Sequence, residues 1–431
     1  MGNQLPDELW VSILSHLPDF VSLKNAALTS PTWFRCAPSA CRQVVLNEVD
    51  LRILPDAIAA LESSKFDPKN LDLVVDYSDK YLKIRPHIPP TISLSDAAGL
   101  TDLHRCVSHL ASKFQAFALS RLTKEQRGLA NDRRDWPQPT PPEEPTAAET
   151  ARFQRALYRF EVYCRLFKDP EVVRFNLDVV NFQRAHFFDC LSPWEIEQLV
   201  AAREYLAAAV VGPPLHALVE LRKLEALSKH HCGPRNGQQV VYWTGPILPP
   251  NLERSDCHIK QNQSRLLCFG VKFLYKVSIT PATQFYQLLL TLPQQPQYDS
   301  YNPVGEIYVW FSDAVNRSGE LGNLEIPVDG RLVQWTDEQY KKYVRASLVA
   351  DDTDKGPEEA WYWAYQSFAG LMNNDLRMTN CRLFGLFFFD SARLKTVNFF
   401  TRVDFWWWRW EGGRQPDFDW EVGAANFQRF F

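Results

Sequence analysis

The sequence has no uninterrupted apolar stretch of about 18 residues, the length a helix needs to cross a bilayer. The best approach to one, YLAAAVVGPPLHALVEL, is broken by Gly212, Pro213 and Pro214. A membrane-spanning role is not expected. Residues 1–20 lack a basic segment leading into a continuous apolar run, so a secretory leader is not expected either. Charge of one sign is also scarce. A net charge of −4 over 431 residues gives no field for a nucleic acid or an anionic membrane surface. Nine cysteines are scattered without a single CxxC pair. That pattern points to reduced thiols in the cytoplasm or nucleus, not to a disulfide framework.

Catalytic signatures are missing as well. There is no GxGxxG, no Walker loop, no HExxH and no GxSxG, which disfavours the enzyme classes built on them. His230, His231, Cys232, Cys257 and His258 are adjacent or distant in sequence, whereas zinc sites favour ligand pairs two to four residues apart. Neither a metal nor a cofactor is expected. Asp351, Asp352 and Asp354 in DDTD lack the following glycine and distant glutamate of a calcium loop, and are read as a solvated acidic turn. No repeat recurs at 20–50 residues, which disfavours solenoids and propellers.

What is present is ordinary globular composition, 45% apolar and 23% charged, in a chain long enough for several domains. Aromatics reach 13%, with 14 Trp, and crowd toward the C-terminus. Their densest run is DFWWWRW. Core packing is the favoured reading of it, and the alternative is a peptide-docking platform of Trp406, Trp407, Trp408, Arg409 and Trp410.

Helical periodicity dominates. Residues 5–36 predict three short helices. Leu5, Leu9 and Ile13 recur at one helical spacing and Trp10, Ile13, Leu14 and Leu17 at another, so the two stripes cover more than one face. Pro6, Asp7 and Glu8 suit a helix start and Pro18 a helix end. Leu23, Ala27 and Leu28 mark a second helix. Ser30, Pro31 and Trp33 open a third. A trio of roughly thirty residues with apolar positions all round cannot bury them within itself, and calls for an outside surface.

Further along, residues 46–130 predict a helical connecting region, with LDLVVDY (71–77) as a candidate strand. Residues 131–150, rich in proline and charge, predict a disordered linker. The body, 151–431, is expected to be mostly helical. In its first helix Phe153, Leu157, Phe160, Cys164 and Phe167 form an apolar stripe opposite Arg152, Arg155 and Arg159, which are read as a wet face. Ser192, Pro193 and Glu195 form a capping box. GPEEAWYWAYQSFAGLM predicts a helix and GEIYVWF (305–311) a candidate strand, while the apolar tail fits either strand or buried helix. The fold class expected is mainly α, with minor β and irregular loops.

The segment LPDELWVSILSHLPDFVSLKNAALTSPTWFRCA resembles the F-box, a three-helix motif. Leu5-Pro6, Glu8-Leu9, Ile13-Leu14, Leu17-Pro18, Leu23, Leu28, Ser30 and Trp33 fall in register with it, and KNAAL softens the usual apolar second helix. The resemblance implies an F-box at about 1–45 that grips a Skp-class adaptor, and through it cullin and RING subunits. The remaining chain would then recruit a protein substrate for ubiquitin transfer, contributing proximity and no catalysis. It also implies that Leu5, Pro6, Leu9, Ile13, Leu14, Leu17, Leu23 and Trp33 line the adaptor contact. RALYRFEVYCRLF and the CLSPWEIEQL stretch resemble uncharacterised F-box proteins of filamentous fungi, which names a lineage and not a substrate. The alternatives are helices that simply pack on their own body, an adaptor-bound scaffold outside any ligase, and an enzyme with no recognisable motif.

Overall fold

Helix ends in the first fifty residues follow from local chemistry. Helix α1 (Asp7–Ser15) starts directly after Pro6, with Asp7 and Glu8 in its first turn facing the positive end of the helix dipole. Helix α2 (Phe20–Thr29) is capped by Asp19, whose carboxylate accepts the Ser22 N–H at 2.7 Å. Helix α3 (Pro31–Glu48) places Pro31 where a missing N–H costs nothing, and runs for 18 residues. It is longer than the short helix expected to open at Pro31.

The computed structural model describes residues 5–65, 70–83, 88–132, 144–167, 179–218, 263, 266–292, 354–368 and 381–396. Further helices among the described residues include α4 (Leu54–Ser63), α5 (Leu71–Tyr77), α6 (Leu94–Asp132), α7 (Ala147–Phe167), α8 (Val179–His186), α9 (Pro193–Tyr205), α10 (Val271–Ile279), α11 (Ala282–Leu290), α12 (Gly356–Phe368) and α13 (Ser391–Thr396). No strand occurs among the described residues, and no helix there is long and apolar enough to cross a membrane. The mainly helical class holds.

Several local expectations need correction. The candidate strand at 71–77 is helix α5. Asn70 caps it by accepting from the N–H groups of Asp72 and Leu73, and its buried residues, Val74 and Tyr77, sit at helical spacing. The Tyr77 hydroxyl then donates to Ala59 O at 2.7 Å, fastening α5 to α4. The linker is shorter than 131–150, because α6 takes 131–132 and α7 takes 147–150. Its C-terminal end is held in place: Thr146 Oγ1 donates to Asp390 at 2.6 Å, and Glu149 pairs with Arg393 at 2.8 Å. Residues 133–143 and the candidate strand at 305–311 lie outside the described residues.

The third correction concerns α7. Its supposed wet face is buried: Arg152, Arg155 and Arg159 are 0%, 2% and 6% exposed. Helix α7 is the axis of the body, with α4, α6, α9 and α10 packed around it, so its charges must find partners inside. Arg152 donates to Phe388 O at 2.9 Å and to Asp390 at 2.6 Å. Arg159 bridges Asp56 at 3.0 Å and Glu195 at 2.9 Å, and Arg155 lies 3.7 Å from Asp56. Buried guanidinium groups are tolerable only when paired in this way.

The segment 381–396 completes the core. Phe387, Phe388 and Phe389 have no exposed surface. The Phe388 ring stacks on Phe153 at 4.0 Å and meets Phe114 edge-on at 5.4 Å, while Phe114 stacks on Tyr205 at 4.3 Å. Gly385 turns the chain into this pocket with φ +71°, close against Ala118 and Phe153, where a side chain would be strained and crowded. Polar ties flank the aromatics. Gln198 donates to Phe387 O at 2.7 Å, and Arg382 pairs with Glu197 at 2.6 Å and Glu204 at 2.9 Å. Asp354 is no solvated turn residue either, since its Oδ1 accepts from the N–H groups of Gly356 and Ser391 at 2.7 and 2.9 Å.

The capping box at α9 is as expected. The Glu195 carboxylate accepts from both the N–H and the hydroxyl of Ser192. The described cysteines are free thiols. Burial raises the pKa of Cys41 to about 11 and of Cys268 and Cys381 to about 12.

Candidate functional site

The first three helices form an up-down-up module. Helices α1 and α3 run parallel: Arg35 donates twice to Asp7, at 3.1 and 2.7 Å, near both N-termini. Near both C-termini, Asn47 Nδ2 donates to Ser15 O and Leu17 O, at 3.0 and 3.1 Å. Helix α2 returns antiparallel, because its first N–H, on Phe20, donates to Glu48 at the far end of α3 at 3.1 Å. The same Glu48 oxygen accepts from Thr101 Oγ1 on α6 at 3.1 Å, so one carboxylate joins module and body. Helix α3 also packs along α6.

The two apolar stripes separate inside and outside. Leu14, Phe20, Leu23 and Ala27 are buried, together with Cys36, Ala37, Ala40 and Cys41 of α3. Trp10 and Trp33, half-buried, meet with ring centroids 5.6 Å apart and hold α1 on α3. The other stripe faces water. Leu5, Leu9 and Ile13 are 45%, 49% and 50% exposed, and Val21, Leu28 and Phe34 are 58%, 71% and 59% exposed. Of the eight large apolar side chains exposed among the described residues, these are six. Apolar exposure so concentrated makes this module the candidate interaction surface, whereas scattered single residues would not.

The expected contact residues therefore divide. Leu5, Pro6, Leu9 and Ile13 are exposed, and Leu17 and Trp33 are half-buried. Leu14 and Leu23, at 2% and 0% exposure, form the floor of the module and cannot line its surface. Val21, Leu28 and Phe34 belong to the surface instead. Their signal in the sequence was present but shared: each is an apolar residue on a helix whose other apolar positions point inward.

Elsewhere, a chain of polar groups runs between α6 and α7. His104 Nδ1 bonds the Tyr158 hydroxyl at 2.8 Å, His104 Nε2 bonds Ser108 at 3.2 Å, and Gln154 donates to Ser108 at 3.0 Å. Burial holds the His104 pKa below its usual value. Each of these bonds spans or braces the helix pair, which makes the cluster a fastening. No group of three His, Cys, Asp or Glu side chains is placed to hold a metal among the described residues. The aromatic run Trp406, Trp407, Trp408, Arg409 and Trp410 lies outside those residues, as do His230, His231, Cys232, Cys257, His258, Asp351 and Asp352.

Comparison with curated proteins finds no match to the chain, and comparison with solved structures finds none either. One family model does match, that of the F-box-like domain, over residues 3–46. These residues span α1, α2 and most of α3, so the match falls on the module with the water-facing apolar surface, which is similar to an F-box-like domain.

Proposed function

We propose that the chain is a substrate-recognition subunit of a cullin-RING ubiquitin ligase. In this reading the F-box-like domain binds a Skp-class adaptor, and the helical body recruits a protein substrate. The observation that carries the reading is the concentration of exposed apolar side chains on α1, α2 and the start of α3, beside the apolar residues that are buried in the core. A partner covering Leu9, Ile13, Val21, Leu28 and Phe34 would remove from water the surface that this chain itself leaves uncovered. The work asked of the chain is to hold a substrate near a charged ubiquitin, which raises the effective concentration of the reacting groups and needs no catalytic residue here.

The test is co-expression with a Skp-class adaptor and a cullin, followed by pull-down. The wild-type chain should retain both. The double variant Leu9→Asp, Ile13→Asp should lose the adaptor, because each position lies in the exposed stripe and hot-spot truncations cost about 2 kcal/mol or more apiece. Its thermal unfolding should stay close to wild type, since neither side chain is part of the core. Retention of the adaptor without cullin would favour a scaffold outside the ligase, and failure of the wild-type chain to bind adaptor would end the docking reading. Partners that survive deletion of residues 1–45 are the candidate substrates.

A further inference from the structure

The turn between α2 and α3 reads Leu28-Thr29-Ser30-Pro31, and it lies within the exposed apolar surface. Leu28 is 71% exposed two residues before Ser30, and Phe34 is 59% exposed four residues after it. Ser30 itself is half-exposed, and its side chain makes no capping hydrogen bond to α3. A Ser-Pro dipeptide is the minimal sequence read by proline-directed protein kinases.

The chain has four Ser-Pro or Thr-Pro dipeptides, at Ser30, Thr140, Ser192 and Thr280. Three fall among the described residues, and their hydroxyls differ. Ser192 is buried, with its hydroxyl committed to Glu195 at 2.8 Å. The Thr280 hydroxyl donates to Lys276 O at 2.6 Å. Only the Ser30 hydroxyl, among these three, is both reachable and uncommitted.

We propose that Ser30 is a phosphorylation site and that its modification closes the adaptor-docking face, a regulation that rests on the docking reading above. A kinase would transfer the γ-phosphoryl group of ATP to Ser30 Oγ. The Oγ–P bond forms, the bond from the γ-phosphorus to the β,γ-bridging oxygen breaks, ADP leaves, and the hydroxyl proton passes to the kinase's base. The product carries about −1.5 to −2 charges between two of the most exposed apolar side chains on the module. An adaptor that covers Leu28 and Phe34 would have to strip water from that dianion, and a burial without a paired cation is strongly unfavourable. The free chain does not suffer the same penalty. Its phosphate stays in water ahead of the first turn of α3, where negative charge is favoured.

The experiment uses the full chain. It is incubated with a proline-directed kinase and ATP, the phosphosites are located by mass spectrometry, and adaptor affinity is measured before and after. Phosphate on Ser30 with an adaptor affinity at least tenfold weaker, and unchanged or slightly higher thermal stability, is the expected result. Ser30→Ala should bind adaptor like the unmodified chain and should keep that affinity after kinase treatment, which assigns the effect to this residue. Absence of phosphate at Ser30, or equal affinity with and without it, overturns the proposal. Failure of the untreated chain to bind adaptor is a separate outcome, and it overturns the docking reading together with the switch built on it.

Discussion

Replacing Arg159 with leucine should cost about 3–5 kcal/mol of stability, the range found when one partner of a buried ion pair is removed. The guanidinium sits between Asp56 at 3.0 Å and Glu195 at 2.9 Å, and Glu195 is 1% exposed. Burial alone would raise the pKa of Glu195, but Arg159 and the Ser192 bonds hold it below its usual value. In the wild type this group therefore stabilises the fold above the unfolded carboxyl pKa, about 4.3, and that contribution is lost as pH falls through the depressed folded value. In Arg159→Leu the sign reverses. Burial then acts without its main opponent and the folded pKa rises, so the penalty is largest near neutrality and shrinks on acidification. Urea unfolding followed by Trp fluorescence at pH 7.5 and pH 5 should show a deficit that narrows at the lower pH. Adding Glu195→Gln should recover a good part of the loss at pH 7.5. A deficit below about 1 kcal/mol, or one identical at both pH values, would refute the account of α7 as a buried, charge-paired axis.

Adjacent residues on α1 should part company. Leu14→Ala, in the floor of the module, should destabilise by about 2–5 kcal/mol, whereas Ile13→Ala should leave stability within about 0.5 kcal/mol yet weaken adaptor capture; a melting curve and a pull-down on both variants check this. Gly270, with φ +80° and the Glu161 carboxylate, which accepts the Val271 N–H, standing where a Cβ would project, should resist substitution, with Gly270→Ala costing about 1–3 kcal/mol in thermal or urea unfolding. Burial depresses the folded pKa of His104, so the unfolded chain binds its proton first and stability should fall as pH drops through about 6.5. In His104→Asn that stretch of the stability–pH curve should be shallower.

Helix content, the capping box at Ser192 and the three-helix start were legible because their signals are local: proline and cap placement, and apolar spacing within one element. The two stripes on α1 were legible too. Which of them faces out was not, because that depends on where α3 and α6 lie, and so the burial of Leu14 and Leu23 could not be read from their spacing. The arginines of α7 show the same limit more sharply. Spaced on one side of an apolar stripe, Arg152, Arg155 and Arg159 carry the pattern of a solvated face, and the carboxylates that pair with them stand at 56, 195 and 390. Nothing within a helical turn announces such partners. At 71–77 the apolar run suggested a strand, and the deciding residue, the capping Asn70, stood just outside it.

The late arrival of Phe388 matters for how this protein is made. Its backbone carbonyl is held by Arg152, a residue translated 236 positions earlier. At ordinary elongation speeds of about 5–20 residues per second, roughly 10–50 s pass between the two. Throughout that interval Phe114 of α6 and Phe153 of α7 lack the ring that packs against both of them in the folded chain. A chain stopped at residue 380 should therefore bind an apolar-surface dye more strongly than the full chain, because the rings of Phe114 and Phe153 lose their Phe388 partner.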